Sequence, residues 1–186
     1  MRAFLAVELP DESRVRLSAL TEKLAESRAD VKWVEPQNLH VTMRFLGDIS
    51  QDQLADIRTR LQTVERETPK FDAQLSQPGA FPSIRAPRVI WMGIGEGHEA
   101  LSRIAVLIND GLGALGIVSE TRKFVAHVTL GRARSSRGLD RLSRQLSGVS
   151  WSAPQSFAVG HITLFESRLS SAGSVYTTLA RFPLSG

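Results

Sequence analysis

The sequence predicts an α+β protein built from two pseudo-symmetric lobes. Strand-like and helix-like segments do not follow the strict strand–helix–strand order of a parallel sheet. Two of the strand–helix groups contain nearly the same short motif, which indicates an internal duplication. No linker of low complexity divides the 186 residues. We therefore expect one bilobal domain over residues 1–186 rather than two independent domains.

The first half of the chain contains three predicted strands and two predicted helices. The strands cover 2–9, 31–35 and 39–46; the second stops at a proline and the third at a Gly-Asp pair. The first helix covers 11–29, where apolar residues recur at helical spacing. The second helix covers 50–67, and its opening Ser-Gln-Asp-Gln run fits a capping box.

The second half contains five further strands and two helices, and its last two strands form a hairpin. A proline-rich loop separates the first two of these strands. In order, the predicted elements are strands over 71–77 and 88–93, a helix over 96–112, a strand over 124–130, a short basic helix over 139–146, and strands over 157–165 and 175–182.

Composition excludes several kinds of chemistry. The chain has no cysteine, which rules out disulfides, thiolate metal sites and cysteine nucleophiles. Its N-terminal apolar run is short and broken by Glu8 and Pro10, and no apolar stretch reaches the roughly 18 residues of a membrane-spanning helix. A soluble, cytoplasmic monomer with no membrane association is therefore expected. The net charge of +4 favours polyanionic partners.

A cluster of arginines follows His127 in the sequence. Two interpretations stay open with even weight: a solvated loop and helix face, or a surface that attracts phosphate beside an active site. The five members lie within thirteen residues: Arg132, Arg134, Arg137, Arg141 and Arg144.

Three of the four histidines are followed two residues later by threonine. The residue between them is always apolar and β-branched, which predicts a strand. Residues i and i+2 of a strand share a face, so each motif presents an imidazole beside a hydroxyl. The imidazole transfers protons near neutral pH, and the hydroxyl can donate to an anionic oxygen. The motifs are His40-Val41-Thr42, His127-Val128-Thr129 and His161-Ile162-Thr163.

Two such motifs suit in-line displacement at phosphorus. The attacking and leaving oxygens lie on opposite sides, so a base is needed on one side and an acid on the other. Strands related by a two-fold axis would supply His40 and His127, while Thr42 and Thr129 hold the non-bridging oxygens. A zinc catalyst would need a third protein ligand, and the sequence offers no His-Glu-x-x-His pattern. We expect neither metal nor cofactor.

Several segments resemble the 2H phosphoesterases, in particular the bacterial and archaeal RNA 2′,3′-cyclic phosphodiesterases once called 2′-5′ RNA ligases. Segment 31–47, VKWVEPQNLHVTMRFLG, looks like the first signature of this family, and segment 124–132, FVAHVTLGR, looks like the second. Segments 79–82, 88–91 and 164–176 are also similar. This chain departs in having Ala126 before the second histidine, where proline is frequent, and Met43 where leucine is usual.

The resemblance implies a fold, an activity and roles. Each lobe would be an antiparallel sheet with helices on its outer side, and the active site would lie in the cleft between the lobes. The activity would be hydrolysis of RNA 2′,3′-cyclic phosphate ends, or of small cyclic nucleotides, to 2′-phosphomonoesters, with reverse 2′-5′ ligation as a side reaction. His127 would be the general base and His40 the general acid, with Arg132 on the phosphate. A 2′-5′ oligonucleotide phosphodiesterase and a non-catalytic RNA-end-binding module remain alternatives.

Four further side chains carry weaker expectations. Phe45 and Phe81 are candidates for stacking on a nucleobase. Strand alternation turns Phe45 away from His40 and puts Arg44 on the face of His40, unless the strand bulges. His161 is expected to pack rather than to react. The arginine cluster begins just after His127, and a nearby cation lowers a histidine pKa, which suits the base.

Overall fold

The computed structural model describes residues 1–152, 155–171 and 173–186. Within them, nine strands form one antiparallel sheet with four α-helices, and a 3-10 turn covers Pro36–Asn38. The strands are β1 (Arg2–Glu8), β2 (Val31–Trp33), β3 (His40–Asp48), β4 (Phe71–Ser83), β5 (Ala86–Ile94), β6 (His127–Ala133), β7 (Gln155–Val159), β8 (His161–Ser170) and β9 (Gly173–Pro183). The helices are α1 (Asp11–Ala25), α2 (Gln51–Glu67), α3 (His98–Gly113) and α4 (Leu139–Gly148).

The sheet consists of two halves that meet at one seam. The strand order is β7-β4-β5-β6-β3-β1-β8-β9, and β2 pairs with the end of β6. At the seam, β3 and β6 run antiparallel, with Val41 opposite Val128. Helices α2 and α3 pack against the half that contains β3 and β9, and α4 packs against β5 in the other half. The two-lobed α+β fold predicted from the sequence is confirmed.

Alternation along the strands separates a helix-facing core from an open concave face. On β1, Ala3, Leu5 and Val7 join the buried apolar cluster, which also contains Val41 of β3 and Val128 of β6. Burying such side chains against the helices is the main favourable contribution to folding. The polar residues of the first two histidine motifs occupy the intervening positions of β3 and β6 and are left on the concave face.

The predicted capping box is present at the start of α2. The Ser50 hydroxyl accepts from the backbone N–H of Gln53 at 3.1 Å, and the Gln53 side chain accepts from the Ser50 N–H at 3.0 Å. Two N–H groups that the helix cannot satisfy internally are thereby bonded. The predicted closing hairpin is also found, as β8 and β9; Ala172, between them in the sequence, lies outside the described residues.

The proline-rich segment predicted as a loop is instead part of a strand. β4 continues to Ser83 and pairs with β5, so the connection shrinks to residues 84–85. Pro78 and Pro82 are tolerated because β7 pairs only with the first part of β4, up to Leu75. Beyond that point one edge of β4 is open, and a residue without an N–H costs no ladder hydrogen bond there.

The strand predicted over 157–165 is two strands in different lobes. β7 pairs with β4, β8 pairs with β1, and Gly160 alone connects them. The sheet curls until β7, at one edge, is close enough to β8, next to the other edge, for one residue to join them. The backbones of Thr68 and Lys70 also bond to that of Ser185, at 2.9 and 2.8 Å. The apolar alternation shifts phase at Gly160, from Phe157 and Val159 before it to Ile162 and Leu164 after it, and this shift is the local signal that the segment is two strands.

Candidate active site

The first two histidine motifs lie on either side of the β3–β6 seam. The seam pairs the middle valine of one motif with the middle valine of the other, and both valines are fully buried. Extending the antiparallel register by one residue in each direction brings His40 towards Thr129 and Thr42 towards His127. Two imidazoles and two hydroxyls therefore share one concave face around a pseudo-two-fold axis.

Both imidazoles are held in the same way by the backbone. The Nδ1 atom of His40 lies 2.7 Å from the carbonyl oxygen of Asn38, and that of His127 lies 2.7 Å from the carbonyl oxygen of Val125. A carbonyl oxygen only accepts, so Nδ1 donates and carries the proton. The Nε2 atoms remain for chemistry, and that of His40 lies 2.9 Å from the Thr42 hydroxyl.

The surroundings favour the neutral form of both rings. Burial lowers the pKa of His40 below its ordinary value of 6.5, and the charges of Arg14 and His127 lower it further. Burial also lowers the pKa of His127, assisted by the charge of Arg132. In each ring the hydrogen bond from Nδ1 to the backbone opposes this shift without cancelling it. The two rings are therefore close enough for a charge on His127 to lower the pKa of His40.

A β-bulge occurs at the same place in both motif strands. On β3, Thr42 pairs with Ala6 but Arg44 pairs with Leu5, so Met43 is the extra residue. On β6, Thr129 pairs with Trp91 but Gly131 pairs with Ile90, so Leu130 is the extra residue. Each bulge lies three residues after its histidine. A bulge reverses which later residues face the cleft.

The bulges bring Phe45 and Arg132 to the concave face. Phe45 is 61% exposed, and its ring centroid is 6.0 Å from that of Phe4, whose ring lies 4.9 Å from His40. Arg44 instead points to the helix side, where it is buried and donates to the Val118 carbonyl. The expectation that Arg44 shares the face of His40 was wrong, and so was the expectation that Phe45 faces away.

Aromatic rings pack against both histidines. Phe81 of β4 meets the ring of His127 edge-on, with centroids 5.2 Å apart, and Trp91 lies 5.1 Å from Phe81. On the other side Tyr176 meets His40 edge-on at 5.6 Å. These rings explain the desolvation of the imidazoles. Phe81, a candidate for stacking on a nucleobase, lies beside the site, and its contact here is with the His127 ring.

The structure divides the arginine cluster into one site residue and several structural ones. The charge of Arg132 reaches His127. Arg137 lies 3.9 Å from Asp30, Arg141 donates to the Ser27 carbonyl at 2.7 Å, and Arg144 lies 3.2 Å from Asp140. The predicted electrostatic asymmetry is absent, because Arg14 of α1 acts on His40 as Arg132 acts on His127. The neighbouring arginines therefore do not show which of the two histidines would be the base and which the acid.

His161 lies closer to the site than the sequence indicated. Its Nε2 is 3.3 Å from the Glu8 carboxylate, which also accepts from Thr163 at 2.5 Å and from Arg181 at 3.2 Å. Burial raises the pKa of Glu8, but these hydrogen bonds outweigh it and leave the pKa lowered. Glu8 is opposite His40 on β1. The sequence contained no local signal for Glu8 or Arg14, because both reach the site through tertiary structure.

Among the described residues, no group of three His, Asp or Glu side chains is placed to hold a metal ion. None of the helices in this part of the chain combines the length and the apolar character needed to cross a membrane.

Comparison with known proteins identifies the family. The chain matches the family described as LigT like Phosphoesterase over residues 7–91 and 94–176. The chain belongs to this family. An RNA 2′,3′-cyclic phosphodiesterase from Methanothermobacter thermautotrophicus is 33% identical over 184 residues, covering 99% of both chains. One from Aquifex aeolicus is 35% identical, covering 83% of this chain and 82% of the relative.

Solved structures share the fold over the whole chain. The TT0787 protein of Thermus thermophilus gives a TM-score of 0.80 at 29% identity, covering 100% of this chain and 99% of that one. LigT from E. coli in complex with 3′-AMP gives a TM-score of 0.79 at 26% identity, covering 100% and 98%. The resemblance to 2H phosphoesterases drawn from the sequence motifs is confirmed.

Proposed function

We propose that the protein hydrolyses 2′,3′-cyclic phosphates at RNA ends to 2′-phosphomonoesters by two-histidine acid–base catalysis. One observation carries this: two His–Thr pairs share a concave face across a pseudo-two-fold axis, each with Nδ1 bonded to the backbone and Nε2 left for chemistry. The substrate class is supported by the relatives named RNA 2′,3′-cyclic phosphodiesterase.

The proposed steps use both Nε2 atoms. His127 takes a proton from water, whose oxygen forms the new bond to phosphorus, and His40 protonates the 3′ oxygen as its bond to phosphorus breaks. Thr42 and Thr129 donate to the non-bridging oxygens, and Arg132 adds a charge-assisted contact. The assignment of acid and base follows the family resemblance. The strain of the five-membered cyclic ester assists departure of the leaving oxygen.

Phe45 offers a surface for the terminal base. Its exposed ring lies on the same face as His40, and every nucleobase can stack on an aromatic ring. Phe81 is a second candidate for stacking on the base, although its ring already packs against His127. If the 5′-hydroxyl of another RNA replaces water, the same proton transfers join the strands through a 2′-5′ bond. We propose this ligation as a side reaction.

Hydrolysis of nucleoside 2′,3′-cyclic phosphates is expected to continue in EDTA. Neither proposed proton transfer uses a metal ion, so chelation should leave the rate nearly unchanged. The assay is incubation with each of the four cyclic nucleotides, with the product position identified by NMR. Loss of activity in EDTA with recovery on adding zinc or manganese would contradict the mechanism. A 3′-phosphate product would contradict the proposed leaving oxygen.

The pH dependence of kcat/KM is expected to be bell-shaped and displaced towards acid. Activity rises as the base loses its proton and falls as the acid loses its proton. Both histidines have pKa values below 6.5 in the free enzyme, so the alkaline limb should fall below 6.5. Bound phosphate is negative and raises the pKa of the acid, so the alkaline limb of kcat should lie higher. Steady-state rates across pH measure both limbs; a kcat/KM that keeps rising above pH 6.5 would contradict the pair.

A further inference from the structure

A cavity of about 420 Å³ opens beside His40, away from the two-fold axis. Its walls come from several elements: β1, α1, the 3-10 turn, β8 and β9. Small-molecule sites commonly have volumes of about 300–1,000 Å³. His40 lines the cavity, whereas Thr42, His127 and Thr129 do not. The cavity therefore adjoins the position of the reacting phosphate without including it.

Arg14 supplies a cation to this cavity. Its Nε is buried and has no hydrogen-bond partner in the described part of the chain. Its ion pair is with Asp11, at 3.5 Å, and the Asp11 side chain is 96% exposed. Exposed pairs of this kind contribute little to stability. An anion bound in the cavity would give the Arg14 guanidinium a charge-assisted partner.

The remaining walls suit a nucleoside. Tyr176 and Phe165 present aromatic rings whose centroids are 6.2 Å apart, and the Tyr176 hydroxyl makes no hydrogen bond to the described chain. The Asn38 amide donates to the Ser174 carbonyl at 2.8 Å and keeps its oxygen available. Aromatic faces with unused donors and acceptors are what single-stranded RNA binding requires.

Two carboxylates also line the cavity, but neither prevents an anion from binding at Arg14. Glu8 is neutralised by Arg181 and by hydrogen bonds from His161 and Thr163. Glu35 accepts a hydrogen bond from the side chain of Gln37 and is exposed, so water and salt screen its charge. With Glu8 already bonded and Glu35 exposed, the charge in the cavity that remains available to an anion is the positive charge of Arg14.

From these features we propose that the cavity is a subsite for the nucleotide that precedes the cyclic phosphate end, with Arg14 binding the phosphodiester between the two nucleotides. The inference rests on the proposed function and narrows its substrate. The enzyme then prefers an oligonucleotide end over a mononucleoside cyclic phosphate, because a mononucleotide leaves the cavity empty and brings no phosphodiester to Arg14.

The test compares three substrates with the same terminal nucleoside: the mononucleoside 2′,3′-cyclic phosphate, a dinucleotide with a natural phosphodiester, and a dinucleotide with a neutral methylphosphonate linkage. For the wild-type protein, kcat/KM should be about tenfold higher for the natural dinucleotide than for the other two, the effect of one charge-assisted hydrogen bond. Equal values for the mononucleotide and the natural dinucleotide would overturn the subsite.

Arg14→Ala should abolish most of this preference. Its rate on the mononucleotide will also change, because the charge of Arg14 lowers the pKa of His40, so the deciding quantity is the ratio between substrates. The ratio of natural dinucleotide to methylphosphonate should fall from about ten to near one. Arg103→Ala, which removes an exposed arginine from α3, is the matched control and should keep the wild-type ratio. An unchanged ratio in Arg14→Ala would overturn the role of Arg14.

Failure of the proposed function gives a different result. It would appear as no turnover of any cyclic phosphate by the wild-type protein. Calorimetric titration with the dinucleotide that carries a 2′-phosphate then still tests the subsite. Arg14→Ala should weaken its binding by about tenfold relative to wild type and to Arg103→Ala. Equal affinities for all three proteins would overturn the subsite on their own.

Discussion

His40→Ala and His127→Ala are each expected to lower the rate of cyclic phosphate hydrolysis by at least about a hundredfold, the usual minimum for removing a general acid or base. Both rings face the cleft, and the valines beside them hold the core, so the variants should remain folded. Circular dichroism and thermal unfolding check this. His98→Ala at the start of α3 is the control and should retain full activity. Near-normal turnover by either cleft variant would refute the acid–base pair.

A substrate with a good leaving group separates the two roles. A phosphodiester with a p-nitrophenolate leaving group needs no proton on its leaving oxygen. If His40 is the acid, His40→Ala should lose far less activity on this ester than on the cyclic phosphate. His127→Ala should remain impaired on both substrates, since water still needs a base. The opposite pattern would exchange the roles and keep the two-histidine mechanism. This experiment is needed because the structure surrounds both rings with similar cations and similar backbone bonds.

Thr129→Val is expected to lower kcat by about a hundredfold, the lower end of the cost of removing one donor from a developing negative charge. Valine preserves the β-branched shape, so the strand and its neighbours should be undisturbed. Thr129 is the cleaner choice of the two threonines, because the Thr42 hydroxyl also bonds to His40. Single-turnover rates at saturating substrate measure the change directly.

Thr129→Ser provides the matched comparison for this prediction. Serine restores the hydroxyl without the methyl group and should recover most of the rate lost in Thr129→Val. If Thr129→Ser is as impaired as Thr129→Val, the threonine acts through packing rather than by donating to the phosphate. If neither variant loses activity, the phosphate is held by other groups.

Local periodicity was enough to predict which side chains share a face in the candidate site. The two-residue repeat of a strand put His40 beside Thr42 and His127 beside Thr129, and the structure has both pairs on the concave face. The Ser50 capping box was predictable for the same reason, since it depends on residues three apart. Such features are encoded within a few residues, so no knowledge of the tertiary fold is required.

Features that depend on strand pairing could not be predicted. The extra residues Met43 and Leu130 have no special composition, and only the register with β1 and β5 shows the bulges. The sequence therefore assigned Arg44 and Phe45 to the wrong faces of β3. Arg14 lies 26 positions before His40 and reaches it from a helix, a long-range contact that single-sequence patterns do not contain.

The Gly160 connection limits how the cleft can move. Val159 and His161 belong to different lobes, yet two peptide units span no more than about 7 Å. The bonds between Thr68, Lys70 and Ser185 fasten the lobes at the same end, and the β3–β6 seam joins them at the centre. With attachments at both places, the two lobes cannot open by a hinge motion. Enzymes that close over a substrate often have turnover limited by lid opening. We therefore expect His40 and His127 to keep a fixed separation during turnover, and product release to require no opening of the cleft.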